Sequence, residues 1–299
     1  MITRAMIKPS RLAVGCLQVA VVAIGLSGAA YGKDSEGFES ALPEAKWRMT
    51  RSLRAPWTVE GQGHSASAPL KGKLLRFSAR GVDGPHPLAC TQLQHEFVLS
   101  PAEGLFQGAL PEPADSHVRT FGVRELPVLT LRVNCESGSF DYHLLSARRA
   151  LLGFDNRIWR LQREDKANTA EDVVLAFLQR HMSGEMAFTS ASVARKSHLL
   201  SPNLARAIST HFAHHQPADE APKINGDPFT NSQEYPERFV LGRARLDQRK
   251  AVVPVRFGGV ERVWVVRFVL RRSMMRWRVD DLIYEDDAAL RPLLAVKER

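Results

Sequence analysis

The stretch from residue 239 to residue 284 constrains the fold most. Its four apolar-alternating runs are Phe239 to Leu246, Lys250 to Phe257, Arg262 to Leu270 and Met275 to Tyr284. Short breaks holding Asp247-Gln248, Gly258-Gly259 and Arg272-Ser273 separate them. Connections that short cannot return a strand in parallel, so the spacing predicts an antiparallel meander. Helix signals precede it. Thr169-Ala170-Glu171-Asp172 offers an N-cap with acids in the first turn, and Val173, Val174, Phe177 and Leu178 form one apolar stripe. Ser201-Pro202 opens a second helix carrying Leu204, Ile208 and Phe212. A polar loop runs from Gln216 to Tyr235, and a short helix is expected over 287–296. Helices followed by a curved meander give an α+β cone over residues 168–299.

The half before it breaks into short strands. Leu70 to Val82, Leu93 to Leu99, Leu126 to Val133, Phe140 to Leu145 and Asn156 to Leu161 are divided by turn residues such as Gly84-Pro85-His86-Pro87. This spacing predicts a small antiparallel sheet or barrel over residues 46–164. Trp57, Cys90, Cys135 and Ile158-Trp159-Arg160-Leu161 make it loosely similar to small lipocalin-like or inhibitor-type barrels of the bacterial envelope. An interior filled by side chains and one holding a ligand both remain open. The expected fold class is α+β, a β-rich domain followed by a cone.

The first thirty-two residues bear on compartment. Arg4, Lys8 and Arg11 precede an apolar run from Leu12 to Leu26, and Ala30-Tyr31-Gly32 gives a small-x-small exit. That is the order of a bacterial-type secretory signal, with residues 33–45 as a polar tail. The run from Leu12 to Ala30 is also long enough for an uncleaved anchor, and both readings stand. No later segment is apolar and long enough to span a bilayer. The signal holds three cations and no acid, so the charge of +9 falls to about +6 without it. This mild balance suits anionic envelope surfaces and is not a nucleic-acid signature.

Export leaves two cysteines, Cys90 and Cys135, and an even count in an oxidising compartment favours a disulfide. Closing that loop stabilises by about 4 kcal/mol in the chain-entropy model.

Several features together carry a family resemblance. They are Val173-Val174 with Phe177, Ser201-Pro202 with Leu204, Asp227-Pro228-Phe229 with Gln233 and Pro236, and the closing Trp277-Arg278-Val279-Asp280-Asp281. With these, the C-terminal half resembles the nuclear-transport-factor-two-like cones. More narrowly it is similar to the family numbered 3828 among the domains of unknown function. The resemblance implies a fold and an envelope compartment, and no activity.

Three groups of residues are candidate sites. Strand parity sets Arg243, Arg245, Arg256, Arg267, Arg271, Arg276 and Arg278 on what reads as one sheet face, beside Trp264 or Trp277. Arginine pairs bidentately with carboxylate and phosphate, so this is a candidate face for an anionic partner or a homodimer contact, against a plain solvated face. Asp227, Pro228 and Phe229 form a candidate loop at the cone mouth or a turn plugging the cone. His211, His214 and His215 fall on one side of a helix end, with Asp219 or Glu220 near, as weak zinc candidates. Asp280 and Asp281 sit on opposite faces of the last strand, and one of them is expected inside the cone.

No GxSxG elbow, P-loop or dinucleotide fingerprint occurs, so no catalytic residue, metal or cofactor is assigned. The expectation is an exported, periplasmic, non-catalytic protein that binds an envelope protein or a small ligand. The alternatives are an inhibitor or immunity protein against an envelope-degrading hydrolase, and a cone-fold isomerase or hydrolase.

Overall fold

Alternation of apolar and polar residues along each strand makes a sheet with two distinct faces. The computed structural model describes residues 38–58, 70–184, 186–214, 224, 226–259 and 262–295, so the expected signal segment lies outside the described residues. The strands are β1 (Ala45–Arg54), β2 (Leu74–Ser78), β3 (Gly81–Asp83), β4 (Gln94–Ser100), β5 (Val128–Cys135), β6 (Gly138–Ser146) and β7 (Arg149–Phe154). They continue with β8 (Arg157–Arg163), β9 (Arg238–Leu241), β10 (Arg245–Asp247), β11 (Lys250–Gly258), β12 (Val263–Ser273) and β13 (Arg276–Ile283). The helices are α1 (Ala114–Thr120), α2 (Ala170–Met182), α3 (Ser190–Ala194), α4 (Pro202–Ala213) and α5 (Leu290–Leu294). All strands join one antiparallel sheet of order β13-β12-β11-β9-β4-β5-β6-β7-β8-β1-β2-β3, with β10 beside β11. Helices and antiparallel sheet together are α+β, with the sheet predominating.

The helix starts lie where the sequence places them. Thr169 caps α2 through a reciprocal box with Asp172, each bond 3.1 Å long. Ser201 caps α4 by accepting from the Leu204 amide, with Pro202 in the first turn. The first run of the expected meander, in contrast, splits into β9 and β10. Pro254 of β11 has no N–H to donate, and there the chain turns close: the Gly242 amide donates to the Pro254 carbonyl at 2.7 Å. A Cβ on Gly242 would lie 2.6 Å from the Pro254 ring, so glycine is required at this approach.

The two halves of the chain share this sheet through β4 and β9, where Phe97 lies opposite Phe239 with rings stacked 5.0 Å apart. Part of the polar 33–45 segment is held at the same place. The Ala41 amide donates to the Leu241 carbonyl, the Arg243 amide to the Glu39 carbonyl, and Leu42 enters the core. That principal core fills the inner sheet face beneath α2 and α4. A smaller core on the opposite face gathers Leu105, Phe106, Val118 and Phe121 against Val128, Leu151 and Ile158.

Cys90 and Cys135 form the expected disulfide, with Cα atoms 5.6 Å apart. It ties the segment before β4 to the end of β5. Gly81, at φ +157°, lets the Val82 amide reach the Cys90 carbonyl at 2.8 Å, where a Cβ would stand 2.1 Å from that oxygen.

Candidate functional site

Helix α2 looks two ways, because its apolar stripe is wider than one contact. Val174, Phe177, Leu178 and His181 are buried on the side that packs on β11 and β13. Asp172, Leu175, Ala176 and Gln179 turn instead over the β1–β8 half, where they roof a cleft. Its floor is the inner sheet face: Trp47 of β1, Phe77 of β2, Phe97 of β4, Leu131 of β5, Leu144 of β6 and Leu161 of β8. The cavity itself is about 40 Å³, within about 640 Å³ of space that includes the open mouth. It is a narrow apolar slot.

Polar groups at this slot are of two kinds. Those at its rim are committed. Arg163 holds Asp172 at 2.7 Å, Asp165 at 2.8 Å and the Glu44 carbonyl at 2.8 Å, and Gln179 donates to the Leu144 carbonyl at 2.7 Å. The Tyr142 hydroxyl is different. It lines the slot edge-on to Phe77, is buried, and has no hydrogen-bond partner. Burial pushes its pKa up, so it stays a neutral donor. Through Leu152, register places Tyr142 in one row with Trp159, whose indole N–H is also unpartnered. An orphaned buried donor is costly, and a ligand acceptor is one way to satisfy it.

The interior under the other side of α2 is closed. His181 Nε2–H donates to Asp227 Oδ2 at 2.6 Å, and Lys196 Nζ donates to His181 Nδ1 at 2.9 Å. Lys196 also donates to the Ser192 carbonyl and hydroxyl and stands 4.9 Å above the Phe229 ring. Asp227 further accepts from the Thr230 hydroxyl and the Phe229 amide. Burial lowers the His181 pKa, with Asp227 opposing, and pulls Lys196 down to about 8. A lysine relayed through a neutral imidazole to a carboxylate is a satisfied charge pair. His181, Lys196 and Phe229 have no exposed surface.

Each sequence-singled residue has a definite place. Phe229 meets Phe177 at 5.0 Å and Phe188 at 5.6 Å, filling the core beneath α2, while Pro228 accepts from the Tyr284 hydroxyl. Register sets Arg245, Arg256, Arg267, Arg271, Arg276 and Arg278 on the outer face. Trp264 and Trp277 depart from the expected placement: they lie on the inner face, buried, because the 264–270 alternation faces the core. Arg256 covers the Phe38 ring, Arg267 pairs with Asp287, and Arg271 reaches Asp280 at 3.4 Å. Arg278 donates to the Leu200 carbonyl, and Arg243 pairs with Glu39 at 2.9 Å. Asp280 is enclosed and accepts from the Ser201 hydroxyl, while Asp281 takes Arg291 at 3.2 Å. His211 packs on Phe188, His214 bonds the Thr210 carbonyl, and His215, Asp219 and Glu220 lie outside the described residues. Among the described residues no three metal-ligating side chains converge.

Sequence reasoning missed Tyr142, His181 and Lys196. The parity of Phe140, Tyr142 and Leu144 marks Tyr142 as inward. Nothing local in the sequence pairs His181 with Lys196, because that contact is made by the fold.

Comparison with protein-family models, with curated proteins and with solved structures finds no match.

Proposed function

We propose that this chain is an exported, periplasmic, non-catalytic binding protein whose slot between α2 and the β1–β8 sheet takes a small, largely apolar ligand carrying one hydrogen-bond acceptor. The observation that carries this reading is Tyr142, a wall residue of an apolar cleft whose hydroxyl is buried and unpartnered. A cleft with apolar walls and few polar groups is the usual form of a small-molecule site. The disulfide supports an oxidising compartment, and among the described residues no helix is long and apolar enough to cross a membrane. The β-rich half and the nuclear-transport-factor-two-like cone remain part of this reading, supported by the order of helices before meander.

Binding is tested with the purified protein and the apolar dye N-phenyl-1-naphthylamine, whose fluorescence rises on entering an apolar site. Saturable binding is expected, and Ala176→Trp, which fills the roof of the slot, is expected to abolish it. Dye binding unchanged in Ala176→Trp, or no saturable binding in the parent, overturns the reading.

A further inference from the structure

On the opposite face of β1, β7 and β8 lies a second recess, of about 260 Å³, roofed by Phe121 and Gly122. Three arginines enter it. Arg51 lies directly across from Arg160, and Arg149 lies diagonal to Arg160, since Arg149 pairs with Gln162 and Arg160 with Leu151. Like charges placed directly across an antiparallel pair repel. The β1 ladder shifts register between Met49 and Arg51, and the extra residue, Thr50, bonds the Arg160 carbonyl at 3.0 Å. Bulges of this kind re-aim side chains next to sites. Here it sets Arg51 directly across from Arg160.

Among the described residues no countercharge answers them, and no acid of those residues lines the recess. Among the ion pairs of the described residues, none involves Arg51, Arg149 or Arg160. Arg160 Nε is enclosed without an acceptor. Burial lowers the Arg160 pKa, and the charges of Arg51 and Arg149 lower it further. Three residues along the same strand, Arg163 shows the contrast, held by Asp165 and Asp172. A charged donor enclosed beside two like charges is strongly favoured by an anion placed among them.

We propose that Arg51, Arg149 and Arg160 form a site for a phosphate group, either free inorganic phosphate or the monoester headgroup of a lipid. A tetrahedral oxyanion offers several acceptors in different directions, which suits three planar guanidinium forks and one enclosed Nε–H.

Isothermal titration of the purified protein with inorganic phosphate, in a chloride medium of matched ionic strength, tests the free form. Sedimentation with phosphatidylcholine vesicles, with and without phosphatidic acid, tests the headgroup. Saturable binding in either arm is expected, and the responding arm identifies the source. The exposed pair Arg51→Gln and Arg149→Gln should each weaken it about tenfold, as loss of a charge-assisted bond implies. Arg245→Gln on the other half should leave it unchanged. No binding in either arm overturns the proposal, as does binding weakened equally by Arg245→Gln, which would indicate attraction to overall charge alone.

Discussion

The two sides of α2 cover interiors of opposite character. Toward β11–β13 the helix closes over Phe229 and Phe268, and every polar group of the Lys196–His181–Asp227 chain has its partner. Toward β1–β8 it roofs a slot whose tyrosine hydroxyl has none. Both interiors are rich in aromatic residues, so composition does not separate them. What separates them is the long loop: residues 227–230 drop Phe229 into the core beneath α2 and are pinned by Trp264 Nε1–H on the Thr230 carbonyl at 2.6 Å. Among the described residues no corresponding loop fills the slot. A filled half provides rigidity, and an unfilled half leaves room for something else.

The largest effect should come from breaking the sealed side. Asp227→Ala strands a buried lysine and leaves the His181 Nε2–H, the Thr230 hydroxyl and the Phe229 amide without their acceptor. Losing one partner of a buried charge pair costs about 3–5 kcal/mol. On the slot side, Asp172→Ala removes one carboxylate from the buried Arg163 cluster and one of the two capping-box bonds of α2, but leaves Arg163 held by Asp165 and Thr169 in place as the N-cap, so its loss should be smaller. Urea unfolding of the two variants measures the difference. Equal losses would mean that the slot side is as sealed as the Phe229 side.

Acid should reach both halves through a histidine, with a smaller effect. His143 of β6 accepts from the Phe106 amide at Nε2 and donates from Nδ1 to the Thr130 hydroxyl, so it must be neutral there. Burial lowers its pKa from 6.5 to about 4. The folded state therefore resists protonation that the unfolded chain accepts. His143 contributes its full stability above pH 6.5, loses it progressively as pH falls toward 4, and gives up about 3 kcal/mol at most. The His181 pKa is lowered as well, which adds a loss of the same sign from beneath α2. His143→Gln should flatten the acid limb of a stability–pH curve without removing it. A curve unchanged by this substitution would place the whole acid response outside the His143 site.

How legible this contrast is in the sequence depends on the range of the interactions. Local signals carry through: the Thr169 and Ser201 caps, the short breaks of the meander and the pairing of Cys90 with Cys135 all operate within a few residues or by elimination. Strands β1 and β7 are less visible. Lys46, Arg48, Arg51 and Arg54 mask the alternation of β1, and β7 is a short run, Arg149–Phe154, that one turn separates from its partner. With those strands unseen, Arg51 and Arg149 have no register and their meeting with Arg160 cannot be read. The arginines of β11–β13, whose strands are clear, were legible as a face. Their partners Phe38, Asp287 and Leu200 lie outside the ladder and were not.

The smallest effects sharpen the contrast most, because they probe space directly. Ala176 roofs the slot, whereas Ala251 lies on β11, fully buried and opposite Leu270. Enlarging a side chain in a close-packed interior forces neighbours off their rotamers, so Ala251→Leu should destabilise by about 1–3 kcal/mol. Ala176→Leu adds the same atoms where space exists, and its unfolding free energy should stay within about 1 kcal/mol of the parent. Tyr142→Phe completes the set. It deletes a hydroxyl that has no partner, so the hydrogen-bond loss that normally accompanies such a change is absent, and stability should be unchanged or slightly raised. If Tyr142→Phe destabilises by as much as a bonded tyrosine would, about 1 kcal/mol or more, the hydroxyl is already satisfied in solution. The slot would then be occupied by water, and a ligand would have to displace that water to bind.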